Sequence, residues 1–393
     1  MIMGLALALT MSGAEAPQSP LPGTWHGHVR LRYEHVAQDS LARDADGLTA
    51  RLRLGWQVPV NPSLEFLVEG EAVGALIRDY NDTISGPADR PIISDPEAVE
   101  LNRLQLRWNA RPSLSVTLGR QRIIVDDARH IGNVGFRQNE QTYDAVRVQF
   151  APQEGLSASY TYIDNVYRVF GPSSPAGRLR SDSHLLQAAA ATPLGRLTAY
   201  GHWFDFANAP GMSSRTLGGR LDGEWPMTGE WAGQYTLEAA EQTPHGPNPA
   251  QFSHQYYRAS LTAARSGASY QVRYEQLRGD CATAFQTPLA TLHAFQGWAD
   301  VFLTTPPEGL EDYSLQARWT LPAPGERRAQ LALTAHEFRG GGGAGWFGRE
   351  FDAMVRTGLW QGWDMELKAA LFDGRGSRFA DREKFWVTLE RAF

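Results

Sequence analysis

Eight arginines fall between positions 103 and 147: Arg103, Arg107, Arg111, Arg120, Arg122, Arg129, Arg137 and Arg147. Asp126 and Asp127 lie among them, and Arg51 and Arg53 form an earlier pair two positions apart. A guanidinium stays charged and offers a planar fork that matches a carboxylate or phosphate bidentately. Such a concentration can guide anions, or it can pin a loop by pairing with the loop's own acids. The two uses weigh equally for any single residue, since structural ion networks also cluster. They are compatible: a pinned constriction with surplus arginine selects anions. Of the 37 basic residues only Lys368 and Lys384 are lysine. A GC-rich genome accounts for most of that bias, but not for where the arginines stand.

Other chemistries find less support. No G-x-S-x-G or H-E-x-x-H occurs, so hydrolysis has no motif behind it. An outer-membrane lipase or protease is the alternative from another class, with His130, His254 and Asp312 as its only candidates. A third reading is a structural or adhesive protein that uses its long loops, roughly 74–98 and 278–310. Gly343 to Gly348 matches G-x-G-x-x-G, but a strand pattern follows it where a dinucleotide site needs a helix. His26 and His28 share a strand face. Two ligands without further Cys or His make a weak metal site, so no metal and no cofactor is expected. The single cysteine, Cys281, excludes an intramolecular disulfide and reads as inert. A formal charge of −6 without a basic run gives no reason to expect nucleic acid.

The elements that carry these residues are strands. Trp25, Gly27, Val29, Leu31 and Tyr33 alternate with His26, His28, Arg30, Arg32 and Glu34. Leu48, Ala50, Leu52, Leu54, Trp56 and Val58 alternate with Thr49, Arg51, Arg53 and Gln57. Side chains point to opposite faces of a strand, so each stretch has one apolar and one polar face. About eighteen such stretches of roughly nine to twelve residues can be marked, the length a tilted membrane-spanning strand needs; sixteen is the other count the pattern permits. The links between them alternate. Short turns such as Val60–Ser63, Arg111-Pro112, Pro193–Gly195 and Ser266-Gly267 are interleaved with loops of about eight to more than thirty residues. A soluble sandwich has no reason to sort its loops by side; an outer-membrane β-barrel does so. Aromatic residues at strand ends (Trp25, Trp56, Trp108, Trp225, Trp319) fit interfacial girdles.

Mean hydropathy is −0.37 and no run of eighteen apolar residues exists, which excludes a helical membrane protein. The expected fold class is therefore all-β: one antiparallel up-and-down transmembrane barrel with short periplasmic turns and long extracellular loops, over residues 24–393. Residues 1–16 read as a signal peptide cut after Ala14-Glu15-Ala16, and 17–23 as a short periplasmic leader. The expected location is the outer membrane of a Gram-negative-type bacterium. The expected partners are outer-membrane lipid and the barrel-assembly machinery, the latter through the terminal strand that ends in Phe393.

The segment from Leu118 to Val148 resembles the alginate-export family of outer-membrane porins. It holds Gly119-Arg120-Gln121, then Asp126-x-x-Arg129-x-Ile131-Gly132, then Phe136-Arg137-Gln138-Asn139-x-Gln141-Thr142-x-Asp144-Ala145. The segment Phe302 to Asp312 and the terminal strand look similar as well, so the resemblance spans nearly the whole mature chain. It implies passage of an anionic small solute or an acidic polysaccharide such as alginate through a wide polar lumen. The loop after the fifth strand is too polar to face lipid and is expected to fold inward. The expected lining of the constriction is Arg51, Arg53, Arg103, Arg107, Arg120, Arg122, Asp126, Arg129, Arg137 and Arg147. Glu65, Glu69 and Glu71 on the third strand would weaken a purely anion-selective lumen.

Overall fold

A computed structural model of the chain describes residues 23–325 and 327–393. The expected signal peptide, and all of the leader but Gly23, lie outside the described residues. Eighteen strands follow one another: β1 (Thr24–Gln38), β2 (Ala45–Asn61), β3 (Leu64–Asp79), β4 (Ala98–Arg111), β5 (Leu114–Gln121), β6 (Thr142–Gln153), β7 (Leu156–Tyr167), β8 (Arg178–Thr192) and β9 (Gly195–Phe204). The second half holds β10 (Ser214–Pro226), β11 (Ala232–Pro244), β12 (His254–Arg265), β13 (Ala268–Arg278), β14 (Gly309–Ala323), β15 (Arg327–Gly340), β16 (Gly345–Gly358), β17 (Asp364–Gly374) and β18 (Arg382–Ala392).

Each strand pairs antiparallel with its sequence neighbours, and β18 pairs with β1 from His28↔Ala392 to Gln38↔Arg382. The sheet therefore closes and leaves no edge, the condition for backbone to sit in hydrocarbon. Phe393 completes the seam, exchanging both backbone hydrogen bonds with Gly27.

The expected alternation of links is present, with two differences. An eighth short turn joins β16 to β17, and two links on the long side are short: residues 39–44 and 341–344. The strands also run longer than expected, up to 17 residues in β2, because pairing continues beyond the hydrocarbon layer. The tight turns rest on glycine where the backbone demands it; Gly155 and Gly267 take φ of 76°.

Polar and apolar faces separate as the pattern requires. In β2, Thr49, Arg51 and Arg53 point inward and are buried, while Leu52 and Leu54 are exposed on the outer wall. Leu186, Leu261, Leu315 and Phe351 continue that outer apolar belt. This is an outer-membrane β-barrel: only lipid makes such a belt stable.

The buried core lies inside the barrel. The loop 122–141 and the loop 279–308 enter it and pack on inward-facing residues. Tyr256, Phe285, Phe302, Phe338, Phe372 and Trp386 form one apolar cluster, against which Phe136 and Trp298 rest. Ile123, Ile131, Tyr143, Ile163 and Leu289 belong to a second.

Candidate constriction of the lumen

The two inward loops touch each other first. Ile131 and Leu289 form a parallel bridge. The Gly132 amide donates to the Leu289 carbonyl (2.8 Å), and a Cβ at Gly132 would strike the Thr291 hydroxyl. Gly132 is therefore required by the approach of the second loop.

The polar residues of the F-R-Q-N motif satisfy backbone that water cannot reach. Gln138 donates to the Thr49 hydroxyl (2.9 Å), and its amide donates to Asp95 (2.7 Å). Asn139 donates to the carbonyls of Pro96 (3.0 Å) and Val169 (3.2 Å). Gln141 donates to the carbonyls of Gly132 (2.9 Å) and Leu289 (3.0 Å). Buried backbone left unpaired is costly, so these residues fix the loop's course. The motif is structural glue, which settles one side of the balance left open by the sequence.

The charged residues act in the same sense. Arg129 is 1% exposed and pairs with Glu275, with a further bond to Thr287 (2.8 Å). Arg137 bridges Glu34 (3.0 Å) and Asp300 (3.1 Å). Arg122 pairs with Glu140, which also receives Asn102 (2.9 Å) and Asn133 (2.6 Å). Burial alone would raise the pKa of Glu140; its bond from Arg122 and the Arg53 charge outweigh that and hold it down at about 2. A carboxyl depressed on folding stabilises the protein above its unfolded value, and this is lost as pH falls toward the folded one. Acid should therefore loosen the loop between about pH 4.5 and pH 2. Glu140→Gln should flatten that part of the profile, read as protease sensitivity of the loop against pH. A profile unchanged by the substitution would contradict the assignment.

Below Phe136 lie the chain's two lysines. Phe136 stacks on His293 at 3.5 Å between centroids and 11° between planes. Lys368 Nζ is 2.7 Å from His293 Nε2 and 3.9 Å from the Trp298 ring centre. Lys384 Nζ donates to Asp300 (2.7 Å). The guanidinium of Arg32 sits 4.3 Å from the Phe136 ring centre. Both loops are thus tied to β1, β17 and β18 by charge-assisted and cation–π contacts.

The candidate lining divides into three groups. Arg51, Arg53, Arg103, Arg107 and Arg147 point inward from the wall. Arg53 pairs with Glu71 and Arg103 with Glu69 (2.5 Å), so these two acids are largely neutralised. Arg122, Asp126, Arg129 and Arg137 belong to the inward loop, but Arg129 and Arg137 are enclosed and hold the loop; they do not face open space. Arg120 is a correction. It stands opposite Leu104 and Asp144 on the outer face, two residues after lipid-facing Leu118. There it pairs with Asp144 (2.9 Å) and lies 3.5 Å from the centre of the Tyr167 ring, at the extracellular rim. The alternation along β5 forbids Arg120 and Gln121 from sharing a face. Among the described residues, Arg51, Arg107 and Arg147 have no carboxylate within ion-pair distance.

The expected lining left out the facing wall. Arg220, Arg258, Arg273 and Arg318 project inward from β10, β12, β13 and β14, joined by Glu238 and Glu275. Strand parity alone would have found them, since each alternates with outward apolar residues. No dense cluster drew attention to them. The hydrolase candidates have separate partners: His130 with Glu238 (3.0 Å), His254 with Thr283 (2.8 Å), Asp312 with His336 (2.8 Å). His26 bonds Glu69 (3.1 Å), and His28 accepts from Arg51 (2.8 Å). Cys281 is exposed in the loop 279–308.

No protein-family model matches the chain, and no curated protein matches it. Solved structures do. OccAB2 of Acinetobacter baumannii superposes with a TM-score of 0.72 at 14% identity, over 94% of this chain and 98% of that one. OccK9 (OpdG) of Pseudomonas aeruginosa gives 0.71 at 14%, over 94% and 98%. OpdK of Pseudomonas aeruginosa, solved with vanillate, gives 0.69 at 13%, over 94% and 98%. At such identities the likeness is one of fold: an 18-strand barrel of the outer-membrane porin type. None of these structures is an alginate-export porin; what stands of that expectation is the closed outer-membrane barrel.

Proposed function

We propose that the chain is a passive outer-membrane channel for small anionic solutes. The observation that carries this reading is a closed barrel whose lumen is narrowed by two pinned loops and retains inward arginines without acid partners. Arg107, Arg147 and Arg318 are among those arginines and, unlike the enclosed Arg51, keep part of their surface open to the lumen. Each leaves a fixed positive charge on the wall of a water-filled path, which draws anions and repels cations. Free acids occur as well. Glu65 and Glu224, at the periplasmic ends of β3 and β10, bond only to Gln57 (2.8 Å) and Gln234 (3.2 Å). The anion preference is therefore modest. OpdK, a barrel of this fold, was solved with vanillate, a small organic acid, and that supports the reading. The packed loops argue for solutes of that size over an acidic polysaccharide, which would need a continuous wide path.

No covalent step is involved, and flow follows the gradient. Purified protein in a planar bilayer should give stable ohmic conductance with a preference for chloride over potassium. The triple variant Arg107→Gln, Arg147→Gln, Arg318→Gln should lose that preference and keep most of the conductance. Folded protein that leaves the bilayer silent would refute the channel.

A further inference from the structure

Two arginines of the wall missed by the sequence meet a single carboxylate of the inward loop. Asp127 Oδ1 lies 3.0 Å from Arg220 Nη1, and Asp127 Oδ2 lies 2.6 Å from Arg258 Nη1. One carboxylate thus bridges guanidinium groups on β10 and β12, across the intervening β11.

Neither arginine depends on Asp127 for its position. Arg220 is gripped by Asp222 from its own strand, at 2.7 and 2.8 Å. Arg258 is held by Glu238 of β11 at 2.9 Å, and Glu238 in turn receives Tyr200 (2.8 Å) and His130 (3.0 Å). Asp222 and Glu238 are part of the rigid wall. Asp127 alone comes from a loop, and its side chain is 38% exposed to the lumen. The residues on either side of it, Asp126 and Ala128, take φ of 50° and 65°. The tip thus holds two non-glycine residues in a region they disfavour while Asp127 reaches the wall. The loop's buried anchors flank this tip, Ile123 before it and Arg129 after it, while Asp126 is held by one bond from Gln187 (2.7 Å).

We propose that Arg220 and Arg258 form a preorganised carboxylate site on the lumen wall, that Asp127 is its tethered occupant, and that a permeating carboxylate displaces Asp127 and frees the loop tip. The proposal rests on the anion-channel reading and deepens it by naming the ligand group, the station and the residue that guards it. A tethered group competes at high effective concentration, so solute affinity is reduced by the fraction of time the site is filled from within. The tether keeps the station from holding a solute too long, which conduction requires.

The test is benzoate binding to the detergent-solubilised full barrel, by calorimetry, with benzamide as the uncharged control. Asp127→Asn keeps the shape and removes the charge. It should bind benzoate on the order of tenfold more tightly than the unaltered protein, the gain expected if the site is open about a tenth of the time. Benzamide should bind neither. Arg220→Gln with Arg258→Gln should abolish benzoate binding. Heat-dependent migration in gels confirms that each variant is folded, and cleavage before Asp126 by an Asp-specific protease reports the freed tip. Equal benzoate affinity in the Asp127→Asn variant and the unaltered protein, or binding that survives loss of both arginines, would overturn the proposal. Conductance is a separate readout: a silent bilayer beside intact benzoate binding would sink the channel and leave the site standing.

Discussion

Replacing Arg129 by methionine should detach the inward loop. The substitution leaves Glu275, itself fully buried, without its cation. Removing one partner of a buried ion pair costs about 3–5 kcal/mol, because the remaining charge stays desolvated. Glu275 would keep its bonds from Tyr256 (2.6 Å) and Gln296 (2.5 Å), which places the effect at the lower end of that range. The barrel itself has its full ladder of strand pairs and should remain folded. The expected result is a loop 122–141 that trypsin cuts readily, and a channel current with larger fluctuations. The double variant Arg129→Met with Glu275→Gln removes the orphaned charge as well. It should recover most of the protection, and that recovery separates the electrostatic account from simple loss of packing. A single variant as protected as the unaltered protein would show that the ion pair does not hold the loop.

Shortening the same loop should have the largest effect on flow. Replacing residues 125–137 with a brief glycine-serine link removes Asp127, Arg129, Phe136 and Arg137 together. Phe136 is the side chain that fills the space between Arg32, His293 and Lys368. Barrels of 16 to 18 strands enclose an aqueous channel unless loops fill it, so conductance should rise severalfold. The preference for chloride should fall at the same time, since a wider lumen screens the wall charges better. Unchanged conductance would mean that the path does not pass this loop.

The barrel was legible because its physics is local and repetitive. Alternation along β2 states which side of each residue meets lipid, and a turn such as Ser266-Gly267 states where the chain reverses. The inward loop was legible for a different reason: Arg122, Asp126, Arg129 and Arg137 are too polar for lipid and too many for a solvated tip. What could not be read was the partner of each charge. Arg129 meets Glu275 across 146 positions, and Arg137 meets Asp300 across 163. Such pairings follow from closure of the cylinder and from the depth to which the loop 279–308 descends, and neither leaves a mark in local sequence. Arg120 shows the opposite failure. It belongs to the densest arginine cluster, yet one position along β5 separates the lumen from the outer wall. Lys368 and Lys384 drew notice for their rarity alone; their place beneath both loops emerged only from the packing of β17 and β18.

The most direct measurement is the zero-current potential of single channels under a potassium chloride gradient, for the unaltered protein and for the variant with Arg107, Arg147 and Arg318 replaced by glutamine. The unaltered channel should give a potential of the sign set by chloride, and the variant a value near zero. A potential of the sign set by potassium in the unaltered channel, or the same potential in both, would contradict a lumen governed by its free arginines.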